Sequence, residues 1–263
     1  MIERATVLSV HRLARQGRTR PLVANCALRD GTQVDVICKL SAGCEEGVIH
    51  LAKEALAACL AIDLGLPAPK PYLVEIPRGL EAAMQDGDVA KRIGHSSALA
   101  FGSTRAPEQF ATWLPGSRIS EVMLPVAAAI FLFDAIIQNP DRRDTNPNCL
   151  TSGQEIRIID HELAFPHLWI AGWKPPWQTG GMDLLARPGQ HIFFAQLRHR
   201  NIDFTPLRAA WAGLSRAQLE AYKMAMPVEW AAGQTAIDKA RGLIADARDR
   251  IDDCLSELGR ILA

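Results

Sequence analysis

The feature that most limits the fold is the run from Val122 to Ile137, VMLPVAAAIFLFDAII, followed at once by NPDRRDTNPNCL from Asn139 to Leu150. The run falls short of the roughly 20 apolar residues needed to span a bilayer, and Pro125 and Asp134 interrupt it. It therefore reads as a core helix, with Pro125 placed as its first residue and its end near Gln138. Asp134, inside FLFDAII, must be hydrogen-bonded because an unpaired buried carboxylate is costly. Its expected partner is the polar stretch that follows. Turn chemistry explains part of that stretch, since Asn, Asp and Pro favour turns through local side-chain bonds and fixed φ. A site for a charged ligand is the second reading.

Upstream, the first 40 residues alternate in the manner of strands: ATVLSV, PLVANCAL and TQVDVICKL, with Asp30-Gly31 as a hairpin signal between the last two. After SAGCEEG the period becomes helical, with Ile49, Ala52, Ala55, Leu56, Cys59, Leu60 and Leu64 on one face until Gly65 and Pro67 stop it. PKPYLVEI and ALAFGS read as two further strands, separated by a piece that holds either a short helix or a loop. A lobe boundary is placed near residue 104, giving a strand-rich N-lobe over 1–104 and a helical C-lobe over 105–263. In the second part, NCL and EIRIID flank the turn TSGQ as short strands. TPLRAAW and LSRAQLEAYKMA begin with Thr and Ser caps, and the last 30 residues are helical.

The chain has 29 basic and 29 acidic residues, so no excess charge argues for broad binding to nucleic acid or to a membrane surface. Its six cysteines form no CxxC pair and suit buried thiols in a reducing cytosol rather than disulfides or zinc. The N-terminus has no signal-peptide core, so a cytoplasmic location is expected.

Asp141 and Asn146 are five residues apart, and Asp160 ends the apolar strand IRII fourteen residues later. A short hairpin between them can bring all three together. Phosphoryl transfer needs such a set: one Asp to orient the attacking hydroxyl, and an Asn with a second Asp to hold Mg²⁺ on the nucleotide phosphates. Oxygen donors suit that ion. Lys39, ending a strand, and Glu54, inside the next helix, have the order of the ion pair that positions the α- and β-phosphates. GRTRP lies between two strands, so Gly17 and Thr19 are candidates for covering the phosphates, although this is not a GxGxxG loop.

Lys39, Glu54, NPDRRDTNPN and IIDHELAF, in that order, resemble the HipA-like kinases, a group with a two-lobed protein-kinase-like fold that is also related to the phosphoinositide lipid kinases. The likeness covers roughly residues 10 to 165. It implies an α+β fold and a kinase that transfers the ATP γ-phosphate, with Mg²⁺, to an unidentified hydroxyl acceptor, a protein or a small molecule, a Ser/Thr protein kinase being one form of it. It further implies Asp141 as the catalytic Asp, Asn146 and Asp160 as metal ligands, and Lys39 with Glu54 as the ion pair. AFGS would be the hinge, with the backbone of Phe101, Gly102 and Ser103 meeting the adenine. The sequence has neither HRD nor DFG, reading NPD and IDH instead. A catalytically inert pseudokinase, binding a nucleotide or a partner, is the alternative.

HELAFPH, from His161 to His167, fails as a zinc-protease motif because HExxH needs two His on one helical face, and here the second follows six residues later after a proline. His161 is read as a structural or supporting residue. Arg142 and Arg143 hold either a phosphate or acidic neighbours. Trp169, Trp173 and Trp177 form either a substrate platform or a self-packed anchor.

Overall fold

The computed structural model describes residues 2–14, 19–166 and 172–263. Gly17, His167 and Trp169 lie outside the described residues. The chain divides into two compact units, the first made of Met1–Cys59, Pro69–Ala106 and Ala221–Ile237, the second of Leu60–Ala68, Pro107–Glu220 and Asp238–Ala263.

The alternating N-terminal segments become β1 (Glu3–Leu13), β2 (Leu22–Leu28) and β3 (Gln33–Lys39), joined by β4 (Pro71–Glu75) and β5 (Leu99–Thr104). They close a barrel in the order β1-β2-β3-β5-β4, with β1 parallel to β4 and the other neighbours antiparallel. The β2–β3 turn is where Asp30-Gly31 places it: Gly31 takes φ +85°, open to glycine at no steric cost, and the Leu28 amide donates to the Thr32 carbonyl.

The two-residue period decides what each face meets. Val36, Cys38 and Leu40 point into the barrel core with Leu22, Ala24, Tyr72, Val74 and Ala100, which leaves Lys39 on the opposite face. Gly102 also faces inward: a Cβ there would lie 2.6 Å from Val36 Cγ1 and collide with Val74 as well. Gly102→Ala should therefore overpack the barrel and cost about 1–3 kcal/mol. Urea unfolding checks this, with a lower midpoint at unchanged slope as the expected result.

Helix α1 (Val48–Asp63) follows the barrel strands. Small residues let it sink in on nearly every side, and Leu51, Ala52, Ala55, Leu56, Ala57 and Ala58 are all buried. The uncertain piece before β5 holds a 3₁₀ turn (Leu80–Ala83) and α2 (Gly87–Gly94), capped by the Asp86 carboxylate accepting from the amides of Asp88 and Val89. A late stretch of chain completes this unit. Trp230, 1% exposed, donates from Nε1 to the Leu99 carbonyl at 3.1 Å, and Gly233 allows close approach to Ala52 of α1.

The second unit is built around α3 (Leu124–Ile137), with Pro125 one residue inside its start and Gln138 ending it at φ +55°. Eleven of its fourteen residues are buried, as the apolar run requires. Beside it, β6 (Ala111–Thr112), β7 (Cys149–Ser152) and β8 (Glu155–Ile158) form a three-stranded antiparallel sheet. The β7–β8 hairpin is the expected one; β6 is two residues long, too short to leave a period in the sequence. The remainder is helical: α4 (Phe194–Leu197), α5 (Thr205–Ala212), α6 (Arg216–Met224), α7 (Gln234–Asp249) and α8 (Ile251–Leu262).

Ser215 caps α6 with a reciprocal pair, its Oγ accepting from the Gln218 amide and Gln218 Oε1 accepting from the Ser215 amide. The expected Thr cap of α5 is not formed. Thr205 is already helical, and its amide donates to the Asp203 carboxylate at 2.9 Å. An ionised oxygen two residues upstream takes that amide. Among the described residues no helix is long and apolar enough to cross a membrane.

Candidate active site

Lys39, at the end of β3, is turned away from the barrel core and donates to Glu54 Oε2 of α1 at 2.9 Å. Both side chains are almost wholly buried, 9% and 4% exposed. Removing one partner of such a pair strands a charge, whereas the intact pair adds little net stability. Thr19 is buried too, its carbonyl accepting from Arg92 Nη1 at 2.7 Å and abutting Gly43. Phe101, Gly102 and Ser103 are not a loop. They sit within β5, paired on one side with Lys39, Cys38 and Ile37 and on the other with Leu73, Tyr72 and Pro71. The backbone of AFGS therefore runs in two ladders up to the strand end at Thr104. The strand read from the apolar run ALAFGS is thus the one the structure forms.

In the second unit, the polar stretch after α3 folds back on itself. Asn139 accepts the Asp141 amide on its side-chain oxygen and donates from Nδ2 to Asp134 Oδ1 at 2.8 Å. Arg143 and Asn146 form a tight bridge of two backbone hydrogen bonds. That turn brings Asn146 Nδ2 to 2.7 Å from Asp141 Oδ2, and Asn148 Nδ2 donates to the same oxygen at 3.2 Å. Arg143 Nη2 holds the other oxygen, Oδ1, at 2.9 Å. All three donors converge on one carboxylate, so Asp141 is fixed in orientation.

The two neighbouring arginines, alike in the sequence, have opposite fates. Arg143 is 42% exposed, while Arg142 is wholly buried. Arg142 Nε donates to Asp134 Oδ2 at 2.6 Å and Nη2 to Asp134 Oδ1 at 3.3 Å. Its Nη1 donates to the carbonyls of Asn148 and Ile159, and Nη2 also lies 3.0 Å from His161 Nε2. A guanidinium only donates, so His161 accepts there through Nε2. One side chain thus grips the helix, the loop that carries Asp141, and the residues on either side of Asp160.

His191 completes the network, as its Nδ1 accepts from the Phe193 amide and its Nε2 donates to Asp134 Oδ2 at 3.1 Å. Burial pushes His191 below its ordinary pKa, against the pull of Asp134, and keeps it neutral. Burial would raise Asp134, but the Arg142 guanidinium and the His191 bond outweigh it and hold the carboxyl well below the usual range. Asp134 therefore meets the loop as a bonded carboxylate, as the sequence requires.

Asp160 follows β8 with φ +63°, a left-handed backbone conformation that a non-glycine residue rarely adopts. Its carboxylate lies within 4.8 Å of an oxygen of Glu162, a buried acid that the sequence reading passed over. The signal was present in IIDHE, but the failed zinc motif drew attention to the histidines instead. Asn146 turns its amide nitrogen to Asp141, which leaves Oδ1 as an oxygen donor. Burial raises the thiol of Cys26 to about 11, and those of Cys149 and Cys254 to about 12. Of the loop tryptophans, Trp173 donates from Nε1 to Gln138 Oε1, and Trp177 carries Arg250 5.2 Å from its ring centroid. Both contacts anchor the loop.

The HipA-like kinase family model matches residues 7–172, more than half of the chain. No curated protein matches the sequence. Among solved structures, a Helicobacter pylori proinflammatory kinase, CtkA, aligns at 10% identity over 96% of this chain and 99% of its own, with a TM-score of 0.48. A Golgi casein kinase with Mn/ADP bound aligns at 11% identity over 92% of this chain and 72% of its own, with a TM-score of 0.38. With a strand-rich N-terminal part, a helical C-terminal part and that family match, the chain has an α+β, protein-kinase-like fold and belongs to the HipA-like kinases.

Proposed function

We propose that the protein is an ATP- and Mg²⁺-dependent phosphotransferase that passes the γ-phosphoryl group to a hydroxyl acceptor. The observation that carries this reading is the Arg142 clamp, which holds the loop of Asp141 and Asn146 against the residues flanking Asp160. Three oxygen-bearing residues scattered over twenty positions are tied to one guanidinium. Positioning of this kind is most of what phosphoryl transfer asks of a protein.

In this reading Asp141 orients the acceptor hydroxyl. Lys39 addresses the nucleotide phosphates, and Glu54 keeps its ammonium charged and extended. Gly17 and Thr19 belong to the segment covering the phosphates, within a nucleotide-covering lobe over 1–104; the lobe over 105–263 carries the catalytic and metal-binding loops. Phe101, Gly102 and Ser103, in the strand that leads into the hinge, meet the adenine through their backbone. Asp160 and Asn146 form an all-oxygen donor set that fits Mg²⁺, with the Glu162 carboxylate nearby. A magnesium ion there would neutralise charge on the phosphates.

A nucleotide-binding pseudokinase is the second reading, favoured by one observation: Arg143, Asn146 and Asn148 already take both oxygens of Asp141. Two measurements decide. Mg²⁺-ATP at about 100 times its Kd should stabilise the wild type by about 2.7 kcal/mol, and Asp160→Ala should lose that gain. Stabilisation that persists in Asp160→Ala removes the metal assignment. Labelled ATP then tests turnover, since an inert module transfers no label to itself or to an added acceptor.

A further inference from the structure

A cavity of about 200 Å³ opens beside the loop of Asp141, walled by Trp113, Pro115, Ile192 and Phe194 and rimmed by Asp144. It lies wholly in the second unit, and the segment forming its far side is tied to the loop: the Ile192 amide donates to the Arg142 carbonyl and the Asp144 amide to the Gly189 carbonyl. Two of its polar groups are already used, as Gln196 donates from Nε2 to the Ser117 carbonyl and accepts the Ile119 amide on Oε1. His191 is committed to Asp134 and Phe193. The Asp144 carboxylate is different. It is exposed and makes no hydrogen bond or ion pair among the described residues.

A free carboxylate at the mouth of an aromatic-walled hole suits a cation with an apolar stem, because the stem packs on the rings while the charge meets the acid. Phe194 already accepts a guanidinium of this kind, Arg198 standing 6.0 Å from its ring centroid. The volume is below the roughly 300–1,000 Å³ of sites that enclose a whole small ligand. One side chain fits that space.

Distance along the chain connects the cavity to the chemistry. Asp144 lies three positions after Asp141, at most about 10 Å when extended, and the turn at Arg143–Asn146 shortens this. An extended peptide advances about 3.3 Å per residue, so a side chain in the cavity belongs within about three positions of a hydroxyl at Asp141. We infer that this cavity takes a Lys or Arg of the acceptor chain, within three residues of the Ser or Thr that Asp141 addresses, and pairs it with Asp144. The inference rests on the phosphotransferase reading with a polypeptide acceptor, and adds the residue that selects among such acceptors.

The test uses the full chain, Mg²⁺-ATP and a set of peptides with one Ser and a single Arg, Glu or Ala scanned from three positions before it to three after. One Arg position should raise kcat/KM by about tenfold or more over the Ala peptide, the scale of one well-placed charge pair. Asp144→Asn should remove that preference while leaving the rate on the Ala peptide unchanged, and Asp144→Lys should reverse it towards Glu. Ala195→Phe, which narrows the exposed mouth without touching the acid, should also abolish it. A preference that survives both Asp144→Asn and Ala195→Phe, or peptide transfer with no charge preference, overturns the subsite. ATP turnover with no transfer to any peptide overturns the polypeptide acceptor and leaves the phosphotransferase standing. Absence of Mg²⁺-ATP binding removes both.

Discussion

Replacing Arg142 with Ala is expected to destabilise the protein by about 3–5 kcal/mol, because the change leaves the Asp134 carboxylate buried without its countercharge. Few single substitutions reach that size, and those that do usually break a buried polar network. Arg142 fills five bonding roles, to Asp134 twice, to the carbonyls of Asn148 and Ile159, and to His161. The loss should therefore be local as well as global, freeing the loop of Asp141 from the strand end that precedes Asp160. Urea unfolding measures the first effect. Hydrogen exchange at the Ile159 amide, which donates to the Asn148 carbonyl, measures the second.

A companion variant isolates the electrostatics. Arg142→Met combined with Asp134→Leu removes both charges, and its stability should recover most of the loss, since apolar replacements of a whole buried pair are often neutral. Failure to recover would mean that the carbonyl contacts of Arg142 and the buried donors of Asn139 and His191 that lose Asp134, rather than the stranded charge, dominate. The pH dependence follows from the same groups. His191 is depressed by burial, so the folded state resists its protonation, and stability present above the ordinary value of about 6.5 declines as pH falls below it. Asp134 is held down chiefly by Arg142 against burial. Its contribution is present above the usual carboxylate range and is lost only as pH falls below about 4.

How much of this was legible differs by residue. The barrel strands and α3 could be read because two-residue alternation and a continuous apolar run follow from local burial. Lys39 could be placed on the outer face for the same reason, one register step from Cys38. Arg142 and Arg143 could not be told apart, since their environments are set by a helix eight residues upstream and a strand seventeen residues downstream. Asp144 sits inside the turn bridged by Arg143 and Asn146, and its place at the cavity depends on residues 188–196, beyond any local pattern. The return of Trp230 to Leu99 spans 131 residues and left no trace except a tryptophan after a proline.

Asp141→Ala should lower phosphate transfer by about 10²–10⁴-fold, the range in which a positioned acid or base contributes, with Mg²⁺-ATP stabilisation retained. The retention matters because Asp160→Ala is expected to lose binding itself, so the pair separates orientation of the acceptor from capture of the nucleotide. Structural damage should be small: Asp141 is 15% exposed, and its three donors can turn to water or to an acceptor once the carboxylate is gone. Asp141→Asn is the sharper probe. An amide keeps one acceptor oxygen but must point its NH₂ either at Arg143 or at Asn146 and Asn148, which are themselves donors, so one side of the cluster has to open. If Asn146 moves, the variant should weaken Mg²⁺-ATP stabilisation as well as transfer. If Arg143 moves, binding stays intact and transfer alone falls. Binding and transfer measured on both variants therefore report which donors hold Asp141 during turnover, and equal transfer by wild type and Asp141→Ala would end its assignment as the residue that addresses the acceptor hydroxyl.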